Sequence, residues 1–325
     1  MSPPQMIAGK PAGPTGYGLM GFHMPPPMDH DAAASVMKAA LGHGANFWNG
    51  GLFYGTPDNN SLHLLRHYFT KNPSDADRVV LSIKGAYDAT THSPRGAPAD
   101  VRRSVEEALA VLGGVKSIDV FQCARVDPTV PIEETVAELG RLVAEGKIGG
   151  IGLSEVSTAT IRRAAAVHPI AAVEIELSLF TTEALGNGVV DTCKELGIPI
   201  IAYSPLGKGF LSGHIRSLDD LPKTDSRRHY PRFQPDSFAQ NLKLVDAVGR
   251  VAERKGATAG QVAIAWVRTL GALPLPGSTR VEGVRENCRE VSLEEEDLRE
   301  IQEVLDTMPV AGDRYPAVHM KLLRG

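Results

Sequence analysis

The chain has 325 residues, 42% of them hydrophobic, and a formal net charge of -4, with a pI near 6.2. That charge lacks the basic face expected of a nucleic-acid binder, and no apolar run reaches the roughly 20 residues a membrane-spanning helix needs. The three cysteines, Cys123, Cys193 and Cys288, lie far apart with no CxxC pair, which argues against a disulfide framework and fits a reducing compartment.

Residues 1–14 are rich in proline and glycine and lack the apolar centre of a secretory signal. They read as a flexible segment ahead of one domain covering 15–325, and cytoplasm is the expected location, with a nuclear share left open. Gly16 to Phe22 reads as a short strand with glycine kinks, broken by Pro25–Pro27. Asp31 to Leu41 is an Ala-rich helix with a capping Asp. The apolar run Ala45 to Trp48 then meets Asn49, a glycine pair, Tyr54 and Gly55. A change of texture of this kind marks the carboxyl end of a strand.

Asn60 to Thr70 is an amphipathic helix with Leu62, Leu65 and Phe69 on one side. Val79 to Lys84 is a strand ending in an ionisable group, and Ala86 to Ala97 is a polar loop. Helices follow at 100–112 and 131–145, with a strand at 117–124 between them. Strands at 148–154, 171–175 and 198–203 alternate with helices at 158–167 and 182–196. A long polar loop spans 207–236, followed by helices at 238–255 and 259–269. A last short strand at 273–276 precedes a helix starting near Val284.

Strict alternation implies parallel strands joined by right-handed crossovers. Eight such units favour a single α/β (β/α)8 TIM barrel over an open doubly wound sheet. An open dinucleotide fold would want GxGxxG after its first strand, and Gly16 to Gly21 spells that pattern. Pro25–Pro27, however, stand where its helix should begin.

Active sites of such barrels gather at the carboxyl ends of the strands. Asn49, Tyr54, Lys84, Gln122, Ser154, Glu174 and Tyr203 all fall there. Each has an ordinary structural explanation taken singly, but polar groups repeated at one level of successive strands favour a ligand site. A buried lysine at the end of an apolar strand is unusual, and an ammonium beside a phenol stabilises the phenolate. Tyr54 with Lys84 is therefore a candidate proton donor for carbonyl reduction. Ser204 to Gly209 and Gly277 to Arg280 read as anion cradles in the usual phosphate region of these barrels. The histidines show no ligand spacing beyond His63 and His67, four apart on one helix without a third ligand, so no metal is expected.

These segments also resemble the aldo-keto reductases over nearly the whole chain. The carrying stretches are Asn46–Gly55, Ser82–Lys84, Asp119–Gln122, Ile151–Ser154, Ala202–Gly207 and Pro276–Asn287. The resemblance implies a (β/α)8 barrel and NADPH-dependent carbonyl reduction of a small-molecule aldehyde. It makes Tyr54 the general acid and Lys84 its partner. Ser154 and Glu174 would hold the nicotinamide carboxamide, Glu174 replacing a more usual Gln, and Tyr203 would stack on the ring. Ser204, Leu206 and Lys208 would clasp the pyrophosphate. Ser278, Thr279 and Arg280 would surround the 2′-phosphate, and Glu286 and Asn287 would contact adenine.

Two positions depart from the family pattern: Asn49 stands for an Asp and Ala124 for a His. A neutral Asn49 is expected to leave Lys84 with a weaker hold on its proton than the family's usual Asp would give. Ala124 is expected to leave room for a bulkier substrate, in a pocket shared with Trp48. The same replacements are similar to those of one branch, the fungal pyridoxal reductases, which implies pyridoxal as substrate and pyridoxine as product. The alternatives are an NADPH-binding regulatory subunit with little turnover, and a barrel aldolase using Lys84 as a Schiff-base nucleophile.

Overall fold

Eight short runs pair side by side as parallel strands: β1 (Gly16–Gly18), β2 (Phe47–Gly51), β3 (Val80–Gly85), β4 (Val120–Cys123), β5 (Ile151–Ser154), β6 (Ile170–Glu176), β7 (Ile200–Tyr203) and β8 (Leu273–Leu275). They follow one another round the sheet in chain order. The structure, a computed structural model, describes residues 4–323 and Gly325. The ends of the sheet meet where the Gly18 amide donates to the Pro276 carbonyl at 2.9 Å. At this seam a Cβ on Gly16 would lie 2.8 Å from the Leu275 side chain, so the first strand needs glycine to approach the last. The GxGxxG-like pattern thus serves barrel closure.

Period-two alternation builds the interior. Phe47, Val80, Val120, Ala172 and Ile201 form an apolar floor. Two residues further along the same strands stand Asn49, Ser82, Gln122, Glu174 and Tyr203. The barrel is therefore dry below and polar towards its carboxyl rim. The floor is sealed by a hairpin, Gln5–Ile7 paired with Lys10–Ala12. Its Ile7 and Ala12 are buried against the floor, and Lys10 pairs with Asp119 at 2.7 Å. Residues 4–14 are thus not the flexible segment expected. Burial of Ile7 and Ala12 fixes a stretch whose composition alone looked like a linker.

Helices α1 (His30–Gly42), α2 (Ser61–Lys71), α3 (Pro98–Leu112), α4 (Ile132–Ala144) and α5 (Thr158–Val167) cover the outside of the first strands. The expected helix at 182–196 is two pieces, α6 (Glu183–Gly186) and α7 (Val189–Glu195), separated at Gly188 (φ 83°). α8 (Pro235–Arg254), α9 (Ala259–Thr269), α10 (Val281–Cys288) and α11 (Glu295–Thr307) complete the layer. The last of these was not foreseen, since its apolar stripe is short and its surface strongly charged. Among the described residues no helix is long and apolar enough to cross a membrane.

Trp48 belongs to this outer layer, not to a substrate pocket. Its neighbours Phe47 and Asn49 point inward, so its indole points at α2. There it is fully buried, lies 5.0 Å from the Tyr68 ring and donates its N–H to the Ala45 carbonyl at 2.8 Å.

Candidate active site

Tyr54 sits in the turn leaving β2. Its amide donates to the Gly51 carbonyl at 3.2 Å, and its carbonyl accepts from the Ser61 amide at 3.1 Å. Ser61 at the start of α2 bonds both the amide and the carbonyl of Gly51 at 2.8 Å. A Cβ on Gly51 would press on the Tyr54 ring at 3.3 Å, so the glycine lets the ring fold back over the strand end. Phe53 lies edge-on to Tyr54 with centroids 5.0 Å apart, and Tyr87 lies 5.0 Å from Phe53. Three half-buried aromatic rings thus border the rim.

Lys84, at the end of β3, is buried beneath Tyr54, with its Nζ 5.7 Å from the ring centroid. It donates to Asn49 Oδ1 at 2.7 Å and forms an ion pair with Glu174 Oε1. The other carboxylate oxygen of Glu174 accepts from Asn49 Nδ2 at 2.9 Å and from Gln122 Nε2 at 2.7 Å. Gln122 Nε2 also reaches Ser82 Oγ at 3.0 Å. The side chains of Lys84 and Glu174 are only 7% and 2% exposed.

Burial by itself would drive the proton off Lys84. The charge of Glu174, and then Tyr54, outweighs burial and holds the pKa above the ordinary lysine value. A neutral Asn49 thus does not leave Lys84 without a countercharge, because one comes from across the barrel on β6.

The mouth beside this pair is a second charged cluster. Tyr203, at the end of β7, donates to Glu155 Oε1 at 2.9 Å and lies 3.3 Å from the Tyr315 hydroxyl. Burial, then the charge of Glu155, raises its pKa well above the ordinary phenol value, so its face is neutral. Arg314, from the C-terminal segment, donates to Glu155 Oε2 at 2.8 Å. Glu176 is buried and lies 3.2 Å from Lys208 Nζ and 3.8 Å from both Arg232 and Arg314. Burial lowers the Lys208 pKa, against the pull of Glu176. Arg125 is half-buried and bends back to the Ala124 carbonyl at 2.5 Å. Burial opposes its charge, but Tyr203, Tyr315 and Glu155 outweigh it and raise its pKa. Two carboxylates (Glu155, Glu176) thus face four basic side chains (Arg125, Lys208, Arg232, Arg314), an excess suited to an anion.

The other expected contact residues lie at the end of β5, in the loop after β7, in the turn after β8 and on α10. Ser154 Oγ is buried with no partner among the described residues, which leaves a hydroxyl to be satisfied by a ligand. Ser204 and Lys208 adopt left-handed backbone (φ 52° and 57°) around Leu206, whose carbonyl accepts from the amides of Gly209 and Leu211 at 3.0 Å. The exposed turn Ser278–Thr279–Arg280 leads into α10, with Ser278 Oγ accepting from the Arg280 amide at 3.1 Å. Glu286 on α10 accepts from Thr258 Oγ1 at 2.7 Å, and Asn287 is half-buried beside it. An unsatisfied hydroxyl, a neutral aromatic face, and cations at the mouth and on the turn fit a nicotinamide dinucleotide phosphate.

Ala124 is buried, 1% exposed, its amide bonded to Gly85. The side chain that reaches the mouth here is that of Arg125. Sequence reasoning missed Arg125, Glu155, Glu176, Arg314 and Tyr315. Glu155 and Glu176 had a signal, being acids at or just beyond apolar strand ends. Arg314 and Tyr315 had none, lying in a polar tail whose path only packing decides. His63 and His67 are used locally: His63 Nδ1 lies 3.1 Å from Asn60 Oδ1, and His67 pairs with Asp31 at 2.6 Å.

A closed parallel barrel with a tyrosine and an ion-paired lysine at its carboxyl rim defines the class as a (β/α)8 barrel enzyme. The chain belongs to the aldo/keto reductase family, whose model matches residues 14–306. It is 41% identical over 321 residues, 95% of this chain and 96% of the relative, to "Probable pyridoxal reductase 2" of Schizosaccharomyces pombe. It is 36% identical over 312 residues, 93% of this chain and 91% of the relative, to "Aldo-keto reductase yakc [NADP(+)]" of the same organism. Among solved structures, a glycerol dehydrogenase of Gluconobacter oxydans superposes with a TM-score of 0.81 at 23% identity, covering 94% of both chains. That likeness speaks for the fold.

Proposed function

We propose that the protein reduces an aldehyde to its alcohol with NADPH, and that the aldehyde is pyridoxal, giving pyridoxine. The observation carrying this reading is the Tyr54 ring lying over a buried lysine, 5.7 Å from its Nζ, that is ion-paired with a buried carboxylate. When bound, NADPH supplies a hydride to the carbonyl carbon. Tyr54 gives its proton to the carbonyl oxygen as negative charge grows there, and Lys84 stabilises the phenolate left behind. Ser154 holds the carboxamide and Tyr203 offers its ring face. Lys208, Ser204 and Leu206 hold the pyrophosphate, with Ser278, Thr279 and Arg280 at the 2′-phosphate and Glu286 and Asn287 at adenine. A charged, ion-paired Lys84 argues against the aldolase alternative, because a Schiff-base nucleophile must be a free amine. The free cysteines support a reducing, cytoplasmic setting.

Arg280→Glu should raise the Kd for NADPH about tenfold or more and leave NADH within about twofold, because only the former carries the phosphate that a guanidinium would grip. Fluorescence titration with both cofactors measures this, and an equal loss for the two would remove Arg280 from the site.

The aromatic wall of Phe53 and Tyr87, with the Arg125 cation nearby, suits a flat aldehyde carrying an acidic hydroxyl, as pyridoxal does. The test compares NADPH consumption with pyridoxal and with an uncharged aromatic aldehyde. Arg125→Met should raise KM for pyridoxal about tenfold and barely move the uncharged substrate. If the parent protein does not turn over pyridoxal, the substrate assignment is wrong.

A further inference from the structure

We propose that Glu174 is the carboxylate partner of Lys84, a positioning residue that keeps the lysine charged beneath Tyr54, and that Asn49 is the neutral bridge of the pair. This rests on the reading of Tyr54 and Lys84 as the proton donor and its partner.

The geometry assigns the roles. Asn49 has one acceptor and one donating group, and uses both: Oδ1 accepts from Lys84 at 2.7 Å and Nδ2 donates to Glu174 at 2.9 Å. It can orient the pair but brings no charge. Gln122 donates to the same oxygen of Glu174 at 2.7 Å. Three donors from three strands, Lys84 on β3, Asn49 on β2 and Gln122 on β4, therefore converge on one carboxylate. That donor set suits an ionised carboxylate, which only accepts. A buried lysine without such a partner would lose its proton readily, so the ammonium under Tyr54 depends on Glu174.

The contacts also separate this role from holding a carboxamide. Ser154 Oγ, adjacent to Glu174 in the β5–β6 register, is buried without a partner among the described residues. Glu174 already has three. A Gln at 174 could still accept a hydrogen bond from a carboxamide, but would bring no charge to Lys84. Glu174→Gln therefore separates electrostatics from cofactor holding.

Asn49→Asp places a second carboxylate where Asn49 Nδ2 now donates to Glu174, so two acceptors meet and the single variant should lose activity. Combined with Glu174→Gln, the same change restores one carboxylate and one amide around Lys84 with the positions exchanged. The expected pattern is a loss in kcat of about a hundredfold for E174Q, with KM for NADPH within about threefold. In the double variant N49D/E174Q, at least tenfold of that loss returns. The alkaline limb of the pH profile should fall at a pH about one unit lower in E174Q and return in the double variant, because the charge that raises the Lys84 pKa has been removed and then replaced.

E174Q acting at close to the parent rate overturns the proposal, as does a double variant recovering less than tenfold. A rise in KM for NADPH with kcat unchanged also overturns it, by making Glu174 a cofactor ligand only. If E174Q does not fold, the double variant decides alone: a kcat within about tenfold of the parent supports the exchange, and a lower value overturns it. Tyr54→Phe, run in parallel, separates the two readings. An active Tyr54→Phe removes the proton-donor assignment. An inactive Tyr54→Phe beside a fully active E174Q removes the Glu174 proposal alone.

Discussion

Tyr54→Phe is expected to lower kcat for pyridoxal reduction by about 10²–10⁴ and to leave the Kd for NADPH within about twofold. The variant keeps the ring, its contact with Phe53 and its fold over Gly51, so packing is unchanged. What disappears is one hydroxyl, carried on the ring that lies over Lys84 Nζ, and with it the donor for the carbonyl oxygen. Steady-state NADPH absorbance gives kcat, and cofactor fluorescence gives Kd. A variant reducing pyridoxal near the parent rate would show that the proton comes from elsewhere. A large loss of NADPH affinity would show that the ring shapes the cofactor groove.

Lys84→Met should be the most damaging single change to activity and stability together. It removes the ammonium beside Tyr54, for a loss of activity of about a hundredfold or more. It also strands Glu174, 2% exposed, as a buried carboxylate with only amide donors. Breaking a buried ion pair from one side costs about 3–5 kcal/mol. K84M/E174Q removes the stranded charge, so urea unfolding should show most of the stability returning while activity stays lost. The pH dependence has a definite sign. The Lys84 pKa is raised on folding, so its pairing contributes fully below the unfolded lysine value of about 10.4. That contribution fades only as pH climbs through the higher folded value. The stability gap between parent and Lys84→Met should therefore be flat between about pH 7 and 9. A gap that closes in this range would mean that the pair is not charged as described.

Much of the site was legible because strand geometry is local. Once β2, β3 and β6 are recognised, period two places Asn49, Lys84 and Glu174 on the inward face, and their position at strand ends places them at the rim. The same rule read carefully excludes Trp48, which alternation sends outward to Tyr68 and Phe69. The N-terminal hairpin was not legible, because Ile7 and Ala12 gain their meaning only from the floor they seal. Nor was the tail, where Arg314 is defined by a carboxylate, Glu155, 159 positions away in the chain.

The amino-acid sequence by itself determined the alternation of strands and helices, the eight-fold count that closes a barrel, and which polar residues stand at the rim. Those properties follow from spacing along the chain. Only the tertiary structure decided which of them pair. Electrostatic partnership depends on distance through space, and closing the barrel brings Glu174 on β6 against Lys84 on β3, 90 residues apart in sequence. The charge missing at Asn49 is thereby supplied from the far side of the same interior.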